Sequence, residues 1–223
     1  MPESRPPLPT FFHLRLTTRA IAIGERVKKG TFRPCVDNLP SSTLIGCLRE
    51  HFGLTQAVAI GIFRPGSYRK ETLTYAPFDA CLRTAKVPLT LEYLVPAAGE
   101  REVQADVYVV STPEASRVFK TSPGYWVISL GGMRSKGLGE SLLKYIEETK
   151  PKRRTGTLLA HMRESDAPAL GIDLEQDLIR PRYGYLFRPG SCRIGGQYER
   201  ALFTGTILTG PDFLIGEEYP YDR

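Results

Sequence analysis

The sequence is poor in the residues that build metal centres and membrane spans. Its four cysteines are Cys35, Cys47, Cys81 and Cys192, and its three histidines are His13, His51 and His161. No two cysteines form a CxxC pair and no histidine lies at ligand spacing from a cysteine, so we expect no zinc site and no cofactor. The N-terminus lacks an apolar segment of the secretory type, and no apolar run approaches the ~18 residues that a membrane span needs. We therefore expect reduced thiols, no membrane partner and a cytoplasmic location.

The sequence also lacks the common catalytic and nucleotide-binding patterns. It has no GxSxG segment, no Ser-His-Asp ordering and no carboxylate spacing typical of metal-dependent nucleases. Its glycine-rich segment GGMRSKGLG, at 131–139, is neither a Walker A loop nor a Rossmann fingerprint, because the spacing differs and no helix is predicted after it. These absences favour a binding protein over an enzyme.

Charge and turn-forming residues are present in excess. There are 30 Lys and Arg against 24 Asp and Glu, which gives a net charge of +6 and favours a polyanionic partner such as nucleic acid. Many soluble proteins are equally basic, so charge alone identifies no partner. The 21 glycines and 18 prolines indicate many short elements joined by turns.

The order of predicted elements indicates an α+β protein. Residues 1–10 read as a proline-rich arm, alternation predicts a strand at 11–23, and a glycine and lysine cluster at 24–30 ends that strand. Residues 39–53 have a helix start, helical apolar spacing and a final glycine. Strands are predicted at 57–63, 87–95, 103–110, 125–130 and 140–148, with a short helix from Pro113. This is close to the ferredoxin-like, or RRM-like, βαββαβ order with a β-hairpin inserted.

The second half of the chain has a different pattern. Residues 150–154 (KPKRR) look like a linker, and strands are predicted at 155–161, 183–187 and 201–208 without a clear helix. We therefore divide the chain into an RRM-like domain at 1–149 and a β-rich region at 150–223. A degenerate second RRM-like domain is one interpretation of the β-rich region.

The glycine-rich loop is the strongest indication of a ligand. Its candidate binding residues are Gly131, Gly132, Arg134, Ser135, Lys136, Gly137 and Gly139. The glycines permit backbone conformations closed to other residues and let a ligand approach peptide N–H groups, while the two cations and the hydroxyl suit phosphate oxygens. We expect the loop to hold an RNA backbone. A flexible basic loop without a ligand is the alternative.

A second candidate surface lies on the first predicted helix. Ser41 and Ser42 stand at its N-terminus, where free N–H groups and the helix dipole favour an anion, and Arg49 follows on the same helix. In a βαββαβ fold this helix and the glycine loop can lie on one side of the sheet, so we expect them to form one surface. Each residue also fits a structural role, the serines as helix caps and the arginine as a solvated side chain.

These two motifs and their order resemble the RAMP superfamily (repeat-associated mysterious proteins) of CRISPR-associated RNA-binding subunits. The segment LPSSTLIGCLRE at 39–50 is similar to that family's IPGSSLKGALR helix start, and SLGGMRSKGLG at 129–139 is similar to its LGGRRSRGFG loop. The piece from Gly30 to Asp37 also resembles the segment that leads into this helix. The resemblance implies RRM-like folds, binding of CRISPR guide RNA, and assembly with other effector subunits.

The position of the loop separates the branches of that superfamily. In the processing endoribonucleases the loop usually lies near the C-terminus, whereas here more than a third of the chain follows Gly139. This order better suits the Cas five-like subunit, which holds the 5′ tag of the guide RNA and has a variable β-rich part after the loop. A backbone subunit that cuts target RNA, and an assembly protein that binds no RNA, are the remaining alternatives.

Two residues would carry the chemistry if the protein is an endoribonuclease. His51, near the end of the helix, is the candidate general base for metal-free cleavage, with contact to the helix carbonyls as its structural alternative. Asp37 is the candidate for target cutting, with a turn residue as its alternative. We favour the structural interpretation of both.

The segment at 64–79 mixes cations with aromatic side chains. Arg64, Arg69 and Lys70 occur together with Tyr68 and Tyr75, as in a protruding hairpin that grips phosphates and stacks bases. A solvated surface loop explains the pattern equally well.

A second glycine pair lies at 188–205. Gly195 and Gly196 stand between Arg193 and Arg200, which fits a second site for RNA backbone or a tight hairpin turn. We favour the turn.

Overall fold

The computed structural model describes residues 7–24, 31–79, 81–121, 124–189 and 196–217. Two α-helices and many strands occur in these ranges, so the prediction of an α+β protein is confirmed. Most of the predicted arm at 1–10 and of the cluster at 24–30 lies outside the described residues. Among the described residues, no helix is long and apolar enough to cross a membrane.

The elements are short, as the glycine and proline content predicts. The helices are α1 (Ser41–Phe52) and α2 (Pro113–Thr121). The strands are β1 (Phe11–Thr18), β2 (Phe32–Arg33), β3 (Ala59–Phe63), β4 (Tyr68–Tyr75), β5 (Phe78–Asp79), β6 (Thr84–Ala85), β7 (Leu89–Pro96), β8 (Val103–Val110), β9 (Tyr125–Ser129), β10 (Glu140–Thr149), β11 (Arg153–Leu158), β12 (Met162–Arg163), β13 (Leu178–Arg180), β14 (Tyr183–Pro189), β15 (Gly196–Leu202), β16 (Ile207–Pro211) and β17 (Ile215–Gly216).

A five-stranded antiparallel sheet organises the fold. Its strand order is β3-β8-β1-β10-β9. The predicted alternation in β1 is confirmed, because Leu14 and Leu16 are fully buried on one face while His13 and Arg15 are only partly buried on the other. The predicted strand ends at Thr18, five residues earlier than expected.

Helix α1 covers one face of this sheet. Leu44 and Leu48 are buried four residues apart, as the apolar spacing predicts, and the helix ends at Gly53, whose left-handed φ of 69° lets its N–H donate to the Arg49 carbonyl. The structural alternative that the serines cap the helix is wrong: Pro40 is the N-cap residue, and no side chain caps the first turn. Ser41 is already helical and points inward.

The main core lies between the sheet and the two helices. Leu16 of β1, Leu48 of α1, Val107 of β8 and Phe119 of α2 belong to one buried cluster. Each such side chain contributes roughly 1.5–3 kcal/mol to folding through burial. This core fixes α1 against the sheet.

The opposite face of the sheet is partly covered by the β-rich region. Phe11 and Ile60 belong to a second buried cluster with Leu158 and Leu208. Phe11 meets Phe213 edge to face, with ring centroids 4.9 Å apart. Residues on both sides of the predicted boundary at 149/150 thus share one core, and the division into two domains stays a prediction.

The predicted hairpin insertion is present. Strands β4 and β7 pair antiparallel from Tyr68↔Pro96 to Tyr75↔Leu89, and β2 runs parallel to β7. Strands β5 and β6 form a small ladder beyond them.

Two strand predictions in the second half are wrong in detail. The chain turns between β15 and β16, so the predicted strand at 201–208 is in fact the end of one strand and the start of another. Strand β11 begins at Arg153, inside the predicted linker. Strands β14 and β15 form a hairpin that pairs as far as Pro189↔Gly196, as the turn interpretation expects. Arg193 and Gly195 themselves lie outside the described residues.

Candidate nucleic-acid interface

A cleft of about 860 Å³ opens among the described residues. Four parts of the chain form its walls: helix α1, the glycine loop, the strands β2 and β7, and the hairpin β14–β15. We call this feature the cleft. Its volume falls in the range of pockets that hold a small organic ligand.

The cleft brings together residues that the sequence assigns to one surface. Ser42 and Arg49 of α1 line it, and so do Gly131, Gly132 and Arg134 of the glycine loop. The expectation that α1 and the loop lie side by side therefore agrees with the structure. That these residues bind RNA stays a prediction.

Two glycines of the loop are required by its conformation. Gly131 has a φ of 81°, and a Cβ there would lie 2.5 Å from the carbonyl oxygen of Ala22. Gly139 has a φ of 86°, and a Cβ there would overlap the carbonyl oxygen of Leu130. Since residues with a Cβ rarely adopt positive φ and neither site has space, the loop closes this tightly only with glycine.

The backbone of the loop offers fewer free donors than the glycine pattern predicts. The N–H groups of Gly132 and Gly139 donate to the carbonyls of Ala22 and Ala20, at 2.7 and 2.8 Å. Further donors are used inside the loop, at Lys136, Gly137 and Leu138. Within the described ranges, the N–H groups of Gly131, Met133, Arg134 and Ser135 have no acceptor. The loop is therefore a packed structure with a few outward donors.

Arg134 is held in place by a glutamate of α1. Its Nη1 donates to both carboxylate oxygens of Glu50, at 2.8 and 3.0 Å. These hydrogen bonds lower the pKa of Glu50. Because both side chains are about half exposed, the ion pair contributes little to stability and exchanges easily. The Nη2 atom of Arg134 remains as a donor.

Other cations lie at the rim of the cleft. Arg49 is exposed, and it has no ion pair or hydrogen bond from its side chain among the residues that the structure describes. Lys136 lies over the ring of Tyr75, with Nζ 5.5 Å from its centroid. Ser135 and Gly137 are exposed beside it. Three arginines and two glutamates line the cleft, so its charge is positive but modest.

Ser41 has a structural position instead. It is fully buried, and its hydroxyl donates to Asp166 at 2.7 Å. Asp166 also accepts two hydrogen bonds from Arg163, at 2.9 and 2.7 Å. We call these three side chains the buried link. It joins the first residue of α1 to the β-rich region. The Ser41 side chain does not line the cleft.

The sequence did not reveal the aromatic wall of the cleft. Tyr185, Phe187 and Tyr198, from the hairpin β14–β15, line the cleft together with α1 and the glycine loop. The signal was present in the order YGYLF at 183–187, where aromatic residues alternate along a strand. Arg33 and Tyr75 also line the cleft. Nothing in the sequence indicated that they lie on the same surface as the glycine loop.

His161 lies at the base of the cleft in its neutral form. Burial lowers the pKa of His161 to about 4, although the charge of Asp37 partly opposes this effect. Its Nδ1 accepts a hydrogen bond from the Thr204 N–H at 3.0 Å. Its ring stacks on Phe203, with centroids 4.0 Å apart. This histidine supports the wall of the cleft.

His161 makes stability depend on pH. The unfolded chain binds a proton at this residue below its ordinary pKa near 6.5, whereas the folded chain does so only below about 4. Stability is therefore expected to fall as the pH is lowered from 6.5 to 4, by about 3 kcal/mol in total from this group. Denaturant unfolding across this range should show a shallower fall in His161→Gln than in the native sequence. Equal pH dependence of both proteins would contradict the assignment.

His51 and Asp37, the two candidate catalytic residues, lie in surroundings that fit their structural interpretations. The Nε2 atom of His51 accepts a hydrogen bond from the Ser129 N–H at 3.0 Å, which occupies the lone pair that a general base would use. Asp37 is exposed in a bend before α1, as its turn interpretation expects. Neither residue lines the cleft.

The remaining predicted RNA contacts lie away from the cleft. Arg64 donates to Asp106 at 2.9 Å on the sheet face opposite the helices. Burial alone raises the pKa of Asp106, but hydrogen bonds from His13 and Arg64 hold it well below its ordinary value. Arg69 pairs with Glu71, and Lys70 is exposed on β4.

The tyrosines of that segment are packed. Tyr68 contacts Phe63, with ring centroids 5.5 Å apart, and burial raises its pKa. Tyr75 packs near Leu138 and Met133 of the glycine loop. The hairpin therefore supports the loop at its base.

No protein-family model and no curated protein matches this sequence. Among solved structures, a chain of the cryo-EM structure of the Type III-B Cmr-beta bound to cognate target RNA and AMPPnP is similar, with a TM-score of 0.59 and 8% sequence identity over 88% of this chain and 86% of that chain. A chain of the Type III-B Cmr-beta bound to cognate target RNA matches with a TM-score of 0.55, the same identity and the same coverage. At this identity the comparison shows a shared fold.

Proposed function

We propose that this protein is an RNA-binding subunit of a CRISPR ribonucleoprotein effector complex, and that it holds the guide RNA without cutting it. The observation that carries the proposal is the cleft. It joins the glycine loop, the first helix and an aromatic hairpin, which are remote in sequence, around one concave surface. Other effector subunits are the proposed protein partners.

The fold supports this proposal. The sheet order β3-β8-β1-β10, with antiparallel neighbours throughout, is compatible with the proposed ferredoxin-like fold, and β9 lies beside β10 at the edge. RRM-like domains with this sheet bind single-stranded RNA. The similar chains come from structures of the Type III-B Cmr-beta bound to cognate target RNA. The motifs at 39–50 and 129–139 resemble those of the RAMP superfamily.

The chemistry of the cleft suits an RNA strand. Arg49, Arg134 and Lys136 supply charge for phosphates, and Ser135 and the outward N–H groups of the loop supply neutral donors. Tyr185 and Phe187 supply aromatic surface for bases. The 5′ tag of the guide is the proposed segment of RNA, because a β-rich region follows the glycine loop as in the Cas five-like subunit.

Removal of two loop cations tests the proposal. Arg134→Ala combined with Lys136→Ala is expected to weaken binding of single-stranded RNA and to reduce the slope of log K against log[salt] by about 1.4, since each lost phosphate contact contributes about 0.7. Fluorescence anisotropy over a range of salt concentrations measures both. Lys150→Ala with Lys152→Ala removes the same charge from exposed positions outside the cleft. An equal slope change in both pairs would show that the loop is not an RNA site.

A processing endoribonuclease is the second function considered. It requires His51 as a base, and cleavage of repeat RNA without metal that is lost in His51→Ala would establish it. The hydrogen bond from Ser129 to His51 favours the non-cutting function.

A further inference from the structure

The hairpin β14–β15 presents aromatic side chains on one face. Tyr183, Tyr185 and Phe187 alternate along β14, so their side chains point to the same side. Tyr198 pairs with Phe187 across the hairpin, and Arg200 pairs with Tyr185. We call these five residues the aromatic strip. Its three tyrosines are all exposed.

Most rings of the strip already have a partner. The guanidinium of Arg200 lies over the ring of Tyr183, 3.8 Å from its centroid. Phe187 meets Tyr198 edge to face at 5.6 Å. The Phe187 ring also lies against Gly196, where a Cβ would overlap it. These contacts fix the strip and limit its side-chain motion.

Tyr185 is the exception. It lies in the middle of the strip and lines the cleft, yet 65% of its surface is exposed. Within the described ranges it has no ring contact, cation contact or hydrogen bond from its side chain. A single exposed tyrosine is ordinary, but an open ring between two fixed neighbours, in a cleft that also holds arginines, forms a preorganised surface.

The geometry of the strip suits a flat base. Residues two apart on a strand are separated by about 7 Å. A stacked base is about 3.4 Å thick, so a base on the Tyr185 ring fits beside Phe187 without collision. Arg49 of α1 and Arg134 of the glycine loop line the same cleft and offer charge for the phosphates of the same strand.

We propose that Tyr185 is a stacking platform for a base of single-stranded RNA, while α1 and the glycine loop hold the phosphates in the same cleft. This inference rests on the proposed function and assigns bases to the hairpin and phosphates to α1 and the loop. A protein partner would use the strip differently, because it does not require an open ring in a cleft that also holds arginines.

Alanine at position 185 tests the platform. Tyr185→Ala is expected to weaken binding of an RNA of about 12 nucleotides by roughly 5- to 150-fold, since loss of stacking on one base is worth about 1–3 kcal/mol. The salt slope should stay unchanged, because tyrosine releases no counterions. Tyr185→Phe keeps the ring and is expected to bind within about twofold of the native sequence. Tyr125→Ala removes an equally exposed tyrosine from the central sheet and serves as the control.

An RNA without bases separates stacking from other effects. The abasic oligonucleotide of the same length should bind the native protein and Tyr185→Ala equally. The platform is refuted if Tyr185→Ala binds ordinary RNA as tightly as the native sequence, or if it weakens the abasic strand to the same degree. If the double variant Arg134→Ala with Lys136→Ala loses affinity for RNA and Tyr185→Ala does not, the platform is refuted and the proposed function stands. Absence of RNA binding by the native protein would refute the proposed function as well.

Discussion

Asp166→Ala is expected to lower the free energy of unfolding by about 3–5 kcal/mol. The substitution leaves the Arg163 guanidinium buried without its main partner and removes the acceptor of the Ser41 hydroxyl. Breaking one side of a buried charge pair is among the most destabilising single changes, because the remaining charge keeps its desolvation penalty. Since small proteins are stable by only about 5–15 kcal/mol, chemical denaturation should detect the loss readily.

A surface ion pair supplies the control. Glu148→Ala breaks the contact with Lys120, which is largely solvated, so we expect a change of at most about 1 kcal/mol. If the two variants lose similar stability, the buried link contributes no more than a surface pair. Glu199 lies 3.4 Å from Arg163 and still pairs with its guanidinium when Asp166 is removed. This remaining pair is the reason that the expected loss of stability in Asp166→Ala begins at about 3 kcal/mol.

The second large effect is expected at Gly139. Gly139→Ala should lower the free energy of unfolding by about 2–5 kcal/mol. A positive φ costs a residue with a Cβ about 1–2 kcal/mol, and overlap with the Leu130 carbonyl forces a backbone shift that costs about 1–3 kcal/mol more. Thermal or denaturant unfolding measures the total.

Gly137 is the matched position for this comparison. It has a φ of 82°, but a Cβ there meets no atom within 4 Å. Gly137→Ala therefore isolates the conformational cost, about 1–2 kcal/mol. Equal losses at both positions would mean that the overlap at Gly139 relaxes without cost.

Local pattern predicts those parts of the fold that one segment determines by itself. Strand β8 has the predicted bounds because Val103, Ala105, Val107 and Val109 alternate with polar residues. Helix α1 follows from its apolar spacing and from Gly53. The meeting of α1 with the glycine loop was also predictable, since the βαββαβ order places both on one side.

Features that depend on distant contacts were not predictable. Ser41 has the sequence of a helix cap, but its partner Asp166 lies 125 residues away, and no local pattern indicates that contact. The segment 201–208 was predicted as one strand, yet Gly205 has a φ of 87° in a turn that divides it. The aromatic alternation at 183–187 was visible, but its place in the same cleft as Arg134 required the whole fold.

The segments that form the cleft are far apart in the sequence, so the ribosome makes them at different times. Its walls come from α1, from the glycine loop and from the hairpin that ends at Leu202. Ribosomes add about 5–20 residues per second, so the hairpin emerges roughly 3–13 s after the loop. A nascent chain thus contains α1 and the glycine loop before the aromatic hairpin exists. The complete cleft forms only after translation has passed β15.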